Sequence, residues 1–279
     1  MAVITLTTDF GLKDHFIAQV KGRILTLNPS ASIVDISHGI SPFNLKEAAY
    51  VVRNAYSEFP EKSIHIIGIN SSIIPGGRHV IVKANNHFFI AADNGIIPAI
   101  VGLSNMEEAI EIKAYTDFSD FVELETFSKV ATHLLNGGSL ALLGKPTQDL
   151  YNYPEQYGII SEDASQIFGE VIYIDRFGNL VTNIRKVDVE ARRSGRKTQV
   201  HLRNHQMDHI YENLNNFSRI IKNESANRAA LGKQIAHYNT AGHLQISIYK
   251  GVPGQSGSAE TLLGMQIGSS VNLLFISET

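Results

Sequence analysis

The chain contains no cysteine and no tryptophan. The first absence removes disulfides, thiolate nucleophiles and cysteine-bound zinc at once. Charged residues are sparse at 18%, and 24 Lys and Arg against 27 Asp and Glu leave a net charge of −3. Without a basic excess there is no global electrostatic case for nucleic acid or for an anionic membrane. The one basic stretch, Arg192-Arg193-Ser194-Gly195-Arg196-Lys197, reads as a solvated helix end or loop. No run approaches the roughly 18 apolar residues needed to span a bilayer. The opening MAVITLTTDFG has no basic region before its apolar run, so it reads as a strand rather than a signal peptide. Phosphate-cradling patterns are missing as well: no GxGxxG follows the first strand and no GxxxxGK[ST] occurs. His201 and His205 stand four apart in a strand-like segment without a carboxylate partner, so no metal site is expected. A soluble, cytoplasmic protein is the expectation that remains.

What is present is an ordinary globular composition, 43% hydrophobic over 279 residues, enough for one large domain or two smaller ones. Apolar runs at 3–7, 33–37 and 63–69 read as buried-type strands, and the periodicity over 14–27 and 45–56 reads as helices. Ser41-Pro42-Phe43-Asn44 gives the second helix its start, with Glu47 in the first turn. Strand, helix, strand, helix, strand predicts an α/β layer on a mainly parallel sheet. Residues 80–93 read as a hairpin around Asn85-Asn86, and 127–135 as a short helix stopped by Gly137-Gly138. After Leu150 the texture changes to short β-rich runs at 168–175, 180–184, 199–202, 243–250 and 271–276. That pattern predicts a small antiparallel barrel or sandwich. The expected domains are 1–155, an α/β nucleoside-binding domain, and 165–279, a β-barrel.

Ligands of open α/β sheets sit beyond the carboxyl ends of the strands. Asp9, Asp14, His38, Phe43 and Asn70 all fall just after the first three strands. Each has a bland alternative: Asp14 as a helix N-terminal residue, Phe43 as a hydrophobic staple, His38 as a satisfied polar group in a turn. Together they place two carboxylates, a flat aromatic and polar amides on one rim, which suits a cationic, planar ligand. In 170–184, EVIYIDRFGNLVTNI, two alternating runs meet around Asp175-Arg176-Phe177-Gly178-Asn179. Asp175 can anchor an ammonium and Asn179 can pair with an adenine edge, or both can simply form the turn.

These segments resemble the S-adenosylmethionine hydroxide adenosyltransferase family, relatives of the bacterial fluorinase and chlorinase. The matching blocks are Thr8-Asp9-Phe10-Gly11-x-x-Asp14, Gln19-Val20-Lys21-Gly22 running to Asn28-Pro29, Ile33-Val34-Asp35-Ile36-Ser37-His38 and Ser41-Pro42-Phe43. They continue with Ala92-Asp93-Asn94-Gly95, Ala131-Thr132-His133-Leu134, Ile174-Asp175-x-Phe177-Gly178-Asn179-x-x-Thr182-Asn183 and a weaker Gly257-Ser258-Ala259…Leu263-Gly264. The resemblance implies an α/β domain followed by a β-barrel. It also implies a homotrimer whose nucleoside site lies between neighbouring subunits, with S-adenosylmethionine as substrate or ligand and no cofactor. By the same resemblance Asp9 binds the ribose hydroxyls and Asp14 the amino-acid end of the ligand. Phe43 packs on it, Asp175 holds the methionine ammonium, Asn179 reads adenine, and Phe10 and Ser71 join them as substrate-binding candidates.

The catalytic positions depart from the family. Its hydrolases carry a DPGVG-type loop after the third strand, with an Asp at the start and an Arg at the end. Here the loop is Asn70-Ser71-Ser72-Ile73-Ile74-Pro75-Gly76-Gly77-Arg78, so the Asp is Asn70 and Arg78 is the nearest Arg. The family's TFHGRD segment aligns to Phe121-Val122-Glu123-Leu124-Glu125, which puts Val122 where the His would be. Glu123 is a substitute base or a solvated side chain, and the solvated reading is preferred. The resemblance thus implies a slow S-adenosylmethionine hydrolase, with a non-catalytic nucleoside-binding protein as the alternative. Halogenation is disfavoured, because Glu123 falls where halogenases keep a small residue beside the halide and a carboxylate would repel an anion.

Overall fold

The computed structural model describes residues 2–72, 77–115, 120–153 and 157–276. The chain forms two compact units, Met1–Glu155 and Gln156–Thr279. Ile73, Ile74, Pro75 and Gly76 of the loop after the third strand, and Pro154 of the expected linker, lie outside the described residues.

In the first unit the elements run β1 (Ile4–Thr8), α1 (Phe16–Leu27), β2 (Ile33–Ser37), α2 (Leu45–Arg53), β3 (Ile64–Gly68), β4 (His79–Ala84), β5 (His87–Ala92), α3 (Ile96–Val101), β6 (Met106–Ile112), α4 (Ser128–Leu135) and β7 (Gly144–Pro146). The sheet order is β2-β1-β3-β5-β4-β6-β7. Pairs β1–β2, β1–β3 and β3–β5 are parallel, whereas β4–β5, β4–β6 and β6–β7 are antiparallel. The expectation of a mainly parallel sheet is therefore corrected to a mixed one. The cause is local. Asn85 and Asn86 take φ of 50° and 62°, the left-handed geometry of a tight two-residue turn, and such a turn joins only antiparallel neighbours.

Successive strand residues face opposite sides, and the apolar runs fill both. Ile64 and Ile66 join Val20 and Ile24 of α1 and Val130, Ala131 and Leu134 of α4 in one core. Ile67, Ile69, Val80 and Val82 join Ala48 and Val52 of α2 and Ile96, Ile97 and Ile100 of α3 in the other. The sheet is thus covered on both faces, and the rim beyond β1 and β3 is where polar side chains can meet solvent. Helix α2 begins as expected. Asn44 Oδ1 accepts from the Glu47 amide at 3.1 Å, while Glu47 Oε2 accepts from the Ser41 amide and from Asn44 Nδ2. Helix α1 starts two residues later than its periodicity suggests, at Phe16 rather than Asp14.

In the second unit come β8 (Ile159–Ile160), β9 (Gln166–Ile174), β10 (Leu180–Arg185), α5 (Lys186–Arg193), β11 (Lys197–Leu202), β12 (His205–Met207), β13 (Ile210–Tyr211), α6 (Leu214–Ile220), α7 (Glu224–Ala230), β14 (Gln234–Tyr238), β15 (His243–Ile248), α8 (Ala259–Leu263) and β16 (Ser270–Ile276). The sheet runs β12-β11-β16-β9-β10-β15-β14-β13, with β8 beside β9. All pairings are antiparallel except β13–β14. Strand β13 touches β11 and β14 touches β12, so the two ends of the sheet approach each other and the sheet curls into a nearly closed barrel. Inside it, Val171, Leu180, Ile184, Val200, Leu244, Ile246, Val271 and Leu273 form one core. His201 and His205 sit in the β11–β12 hairpin, and the basic stretch caps the end of α5. No described helix is long and apolar enough to cross a membrane.

Candidate ligand cleft of the first unit

A cleft of about 810 Å³ opens beyond the ends of β1 and β3, lined by Asp9, Phe10, Phe16, Phe43, Asn70, Ser71, Ser72, Asp120, Phe121, Val122 and Glu123. Strand β1 is buried along its whole length and delivers Asp9 and Phe10 to the rim. Asp9 Oδ2 accepts a hydrogen bond from the backbone N–H of Phe43 at 2.7 Å. Phe43 itself has φ of 63° and is 70% exposed. A non-glycine residue in that region is strained and needs a local partner to hold it. The charge-assisted bond to Asp9 is that partner. Phe43 is accordingly a flat, solvent-facing ring over the cleft rather than the hydrophobic staple of α2.

Strand β3 ends at Gly68, and Asn70 turns the chain with φ of 47°. Asn94 holds that turn from behind: its Nδ2 donates to the Ile69 carbonyl at 3.0 Å and lies 3.4 Å from that of Asn70. Ser71 is buried; its carbonyl accepts from His79 Nε2 at 2.8 Å, while its hydroxyl makes no hydrogen bond of ordinary geometry among the described residues. The third wall is the segment Asp120–Phe127, whose residues Glu123–Phe127 form a π-helical turn running into α4. Turns of this kind interrupt a helix at functional positions more often than elsewhere.

Glu123 overturns the preferred sequence reading. It is not a solvated side chain but 4% exposed, with its carboxyl laid over the backbone of Gly68. A Cβ at position 68 would stand 2.9 Å from both Cγ and Oε1 of Glu123, so only glycine leaves room for it there. Burial pushes the Glu123 carboxyl above the usual carboxylate range; its own backbone N–H and the Ser71 hydroxyl pull it down, and the charge of Asp9 pushes it further up. The cleft therefore holds two carboxyl groups, and the charge of Asp9 disfavours ionisation of Glu123. No Lys, Arg or His is among the described residues that line it.

Three phenylalanines form one side of the cleft. Ring centroids of Phe10 and Phe16 are 5.7 Å apart, Phe10 and Phe121 5.8 Å, and Phe16 and Phe121 5.6 Å. Such tilted and edge-on rings present π surface to a ligand, which attracts cations. Of this trio only Phe10 stands out in the sequence. Phe16 reads there as part of the apolar face of α1, yet it is partly exposed and the buried face of that helix is Ile17, Val20 and Ile24.

Other expected site residues lie elsewhere. Asp14 is exposed in the bend before α1 and does not line the cleft. Arg78 faces a separate cavity of about 70 Å³. Its Nε donates to Asp93 Oδ2 at 2.7 Å and its Nη1 to Thr147 Oγ1 at 3.3 Å, which holds it firmly protonated. Asn70 and Ser72 border both spaces. Val122, at the expected histidine position, is 5% exposed and packs into the same core as α1 and α4. His38 sits in the bend after β2, its Nδ1 2.8 Å from Thr8 Oγ1. Its buried Nε2 lies 3.1 Å from Asp35 Oδ1 but makes no hydrogen bond of ordinary geometry among the described residues, so only one ring nitrogen is satisfied.

In the second unit Asp175 and Asn179 come together, and what joins them is the turn. Asp175 Oδ1 accepts from the amides of Phe177 and Asn179 at 2.8 and 3.0 Å, and Oδ2 accepts from Asn179 Nδ2 at 2.8 Å. Gly178 makes this turn with φ of 69° and rests against Ser258, the N-cap of α8, leaving no space for a Cβ. Its carbonyl accepts from the Glu260 amide at 3.0 Å.

Residues 4–144 match the SAM hydroxide adenosyltransferase N-terminal domain, and residues 169–272 match the C-terminal domain of that family. An (R)-S-adenosyl-L-methionine hydrolase of Methanocaldococcus jannaschii is 31% identical over 195 residues, 67% of this chain and 68% of that protein. A protein of the same name from Thermus thermophilus is 23% identical over 290 residues, covering 98% of this chain and all of the relative. In three dimensions a conserved protein of Thermotoga maritima superposes with a TM-score of 0.79 at 24% identity, over 98% of this chain and the whole of its own. That last likeness speaks for the fold alone, but both domains match in order along one chain. The protein belongs to the SAM hydroxide adenosyltransferase family.

Proposed function

We propose that the protein binds S-adenosyl-L-methionine in the cleft of its first unit and hydrolyses it slowly to adenosine and L-methionine. The observation that carries this reading is the pairing of Asp9 and Glu123 in one cleft beneath Phe43 and beside three phenylalanines. An anionic, aromatic-walled cleft suits a ligand that combines a planar base, a diol and a sulfonium. Asp9 accepts from the ribose hydroxyls, Phe10 and Phe43 pack on the ligand, and Ser71 offers its hydroxyl beside Glu123.

In the reaction a water oxygen attacks C5′ as the C5′–S bond breaks. The bonding pair stays on sulfur as the neutral thioether of methionine, and one proton leaves the attacking water. A sulfonium is already a good leaving group, so in-line positioning in a desolvated cleft supplies much of the rate. Loss of a general base typically lowers rates by about 10²–10⁴-fold. Asn70 cannot take a proton, Val122 offers no hydrogen bond, and Arg78 is bound to Asp93. Glu123 is then the group available to receive the proton, which its position beside Ser71 permits. By family resemblance Asp14, Asp175 and Asn179 hold the amino acid and adenine, with neighbouring subunits of a trimer closing each site.

Incubation with S-adenosylmethionine, followed by chromatography, tests this: adenosine and methionine should appear in equal amounts. A second reading, a nucleoside-binding protein without turnover, draws on the core packing of Val122. Tight adenosine binding with no product over many hours would decide for it.

A further inference from the structure

Asp9, Asp120 and Glu123 line the cleft, no Lys, Arg or His is among the described residues that do, and His15 packs on the Phe16 ring with centroids 4.6 Å apart. Arg23 of α1 and Lys129 of α4 both pair with Glu125, which follows Glu123 by two positions on the same turn. His79, packed behind Ser71 and against Phe127, donates to the Ser71 carbonyl and is kept neutral by burial. From β3 the group facing Glu123 is the bare backbone of Gly68, and from the end of β1 it is the carboxylate of Asp9. Beside Glu123 stands the buried Ser71 hydroxyl, which makes no hydrogen bond of ordinary geometry among the described residues but lies close enough to favour the ionised carboxyl. The Phe10, Phe16 and Phe121 rings complete the surroundings.

We propose that Glu123 is a specificity-determining residue, which makes the positive charge at the sulfonium position the feature by which this cleft selects its ligand. The inference rests on the ligand reading above and adds to it. A cation beside C5′ is attracted by Glu123 from across the attacking water, and by the aromatic rings, whereas the uncharged thioether of the same shape is not. A buried carboxyl next to another carboxylate gains most from such a counter-charge, since no described residue lining the cleft supplies one. Cation binding draws Glu123 toward its ionised form, so the preference grows with pH.

Two stable ligands isolate this effect without turnover. Sinefungin has a protonated amine where the sulfonium stands, and S-adenosylhomocysteine has a neutral thioether. Both keep the same adenosine and amino-acid groups, so the ratio of their affinities reports the central charge. Calorimetry at pH 8 should give sinefungin about tenfold or more tighter binding than S-adenosylhomocysteine, a preference that shrinks at pH 5. In the near-isosteric Glu123→Gln the ratio at pH 8 should fall to within about threefold and lose its pH dependence. Equal affinities in the wild type at pH 8, with adenosine still bound, would overturn this proposal alone. A wild type that binds no adenosine overturns the ligand reading and this proposal with it. A ratio that survives in Glu123→Gln also overturns it. Should that variant lack the wild-type circular dichroism and melting transition, the wild-type series decides, since a ratio flat from pH 5 to 8 refutes the role of Glu123.

Discussion

Gly68 at the end of β3 and Glu123 on the π-helical turn fit one another: the carboxyl of Glu123 fills the space that a side chain at position 68 would take. The contact joins β3, an interior strand of the first unit's sheet, to the third wall of the cleft. Burial in that space favours the neutral form of the carboxyl.

Gly68→Ala should therefore destabilise the first unit by about 1–3 kcal/mol, the usual range for forcing extra volume into a packed site. Ligand affinity should fall as well, since Glu123 must shift. Adding Glu123→Ala should recover much of the stability, and a double-mutant cycle of melting curves reads the coupling. Strictly additive effects would show that the two residues do not interact.

Glu123→Gln should raise thermal stability at pH 8. The folded carboxyl titrates above its unfolded value of 4.5, so the wild type loses stability as pH rises through the folded pKa. Below about 4.5 both states are protonated and the advantage of Gln should vanish. Melting temperatures of the two proteins between pH 4 and 8 check this, and a wild type that outlasts the variant at pH 8 would contradict it.

Asp9→Ala removes an acceptor from both the ligand and the Phe43 amide. Each unpaired donor costs about 1–3 kcal/mol, so adenosine binding should weaken at least about tenfold in calorimetry. Asp9→Asn keeps an oxygen for the Phe43 N–H and should preserve the turn while still weakening the diol contact.

His65 should make the protein acid-labile. It is fully buried, with Nδ1 2.7 Å from Thr5 Oγ1 and Nε2 3.1 Å from His87 Nδ1. Burial, aided by repulsion from His87, depresses its pKa to about 3 from 6.5. The unfolded chain binds a proton that the native chain refuses, so stability falls as pH drops from about 6.5 toward about 3, by roughly 3–5 kcal/mol in all. Urea midpoints at pH 7 and pH 4 should differ accordingly, and His65→Asn should flatten the dependence while lowering stability at pH 7.

A trimer is expected in solution. Light scattering at micromolar concentration should give three times the mass of the chain; a monomer there would contradict the shared sites.

Much of the fold is legible in the sequence because apolar runs with turn residues between them leave few alternatives. Asn85-Asn86, Asn44 with Glu47, and Asp175 with Asn179 all form the local structures their chemistry favours. The Asn85-Asn86 hairpin already makes one pair of the sheet antiparallel, whereas the antiparallel pairing of β6 with β4 and β7 is harder to foresee because those strands are separated in the chain. Helices α5 to α8 are short and held by the barrel around them, so their periodicity is weak. In the site, Asp9, Phe10, Phe43, Asn70 and Ser71 are legible from their places after β1 and β3. The burial of Glu123 is not, because a glutamate's ordinary preference is solvent and the vacancy that receives it lies at Gly68, 55 positions earlier. Phe16 and Phe121 are hidden for a similar reason: their meeting depends on where α1 begins.

The contact of Gly178 with Ser258 has a consequence for comparing and recombining relatives of this protein. The hairpin turn and the cap of α8 are 80 residues apart, yet neither can grow without displacing the other. Across homologues the two positions should covary, with a bulkier residue at one accompanied by a loss at the other. A chimera that takes the hairpin from one parent and the C-terminal segment from another should assemble only where both come as a matched set.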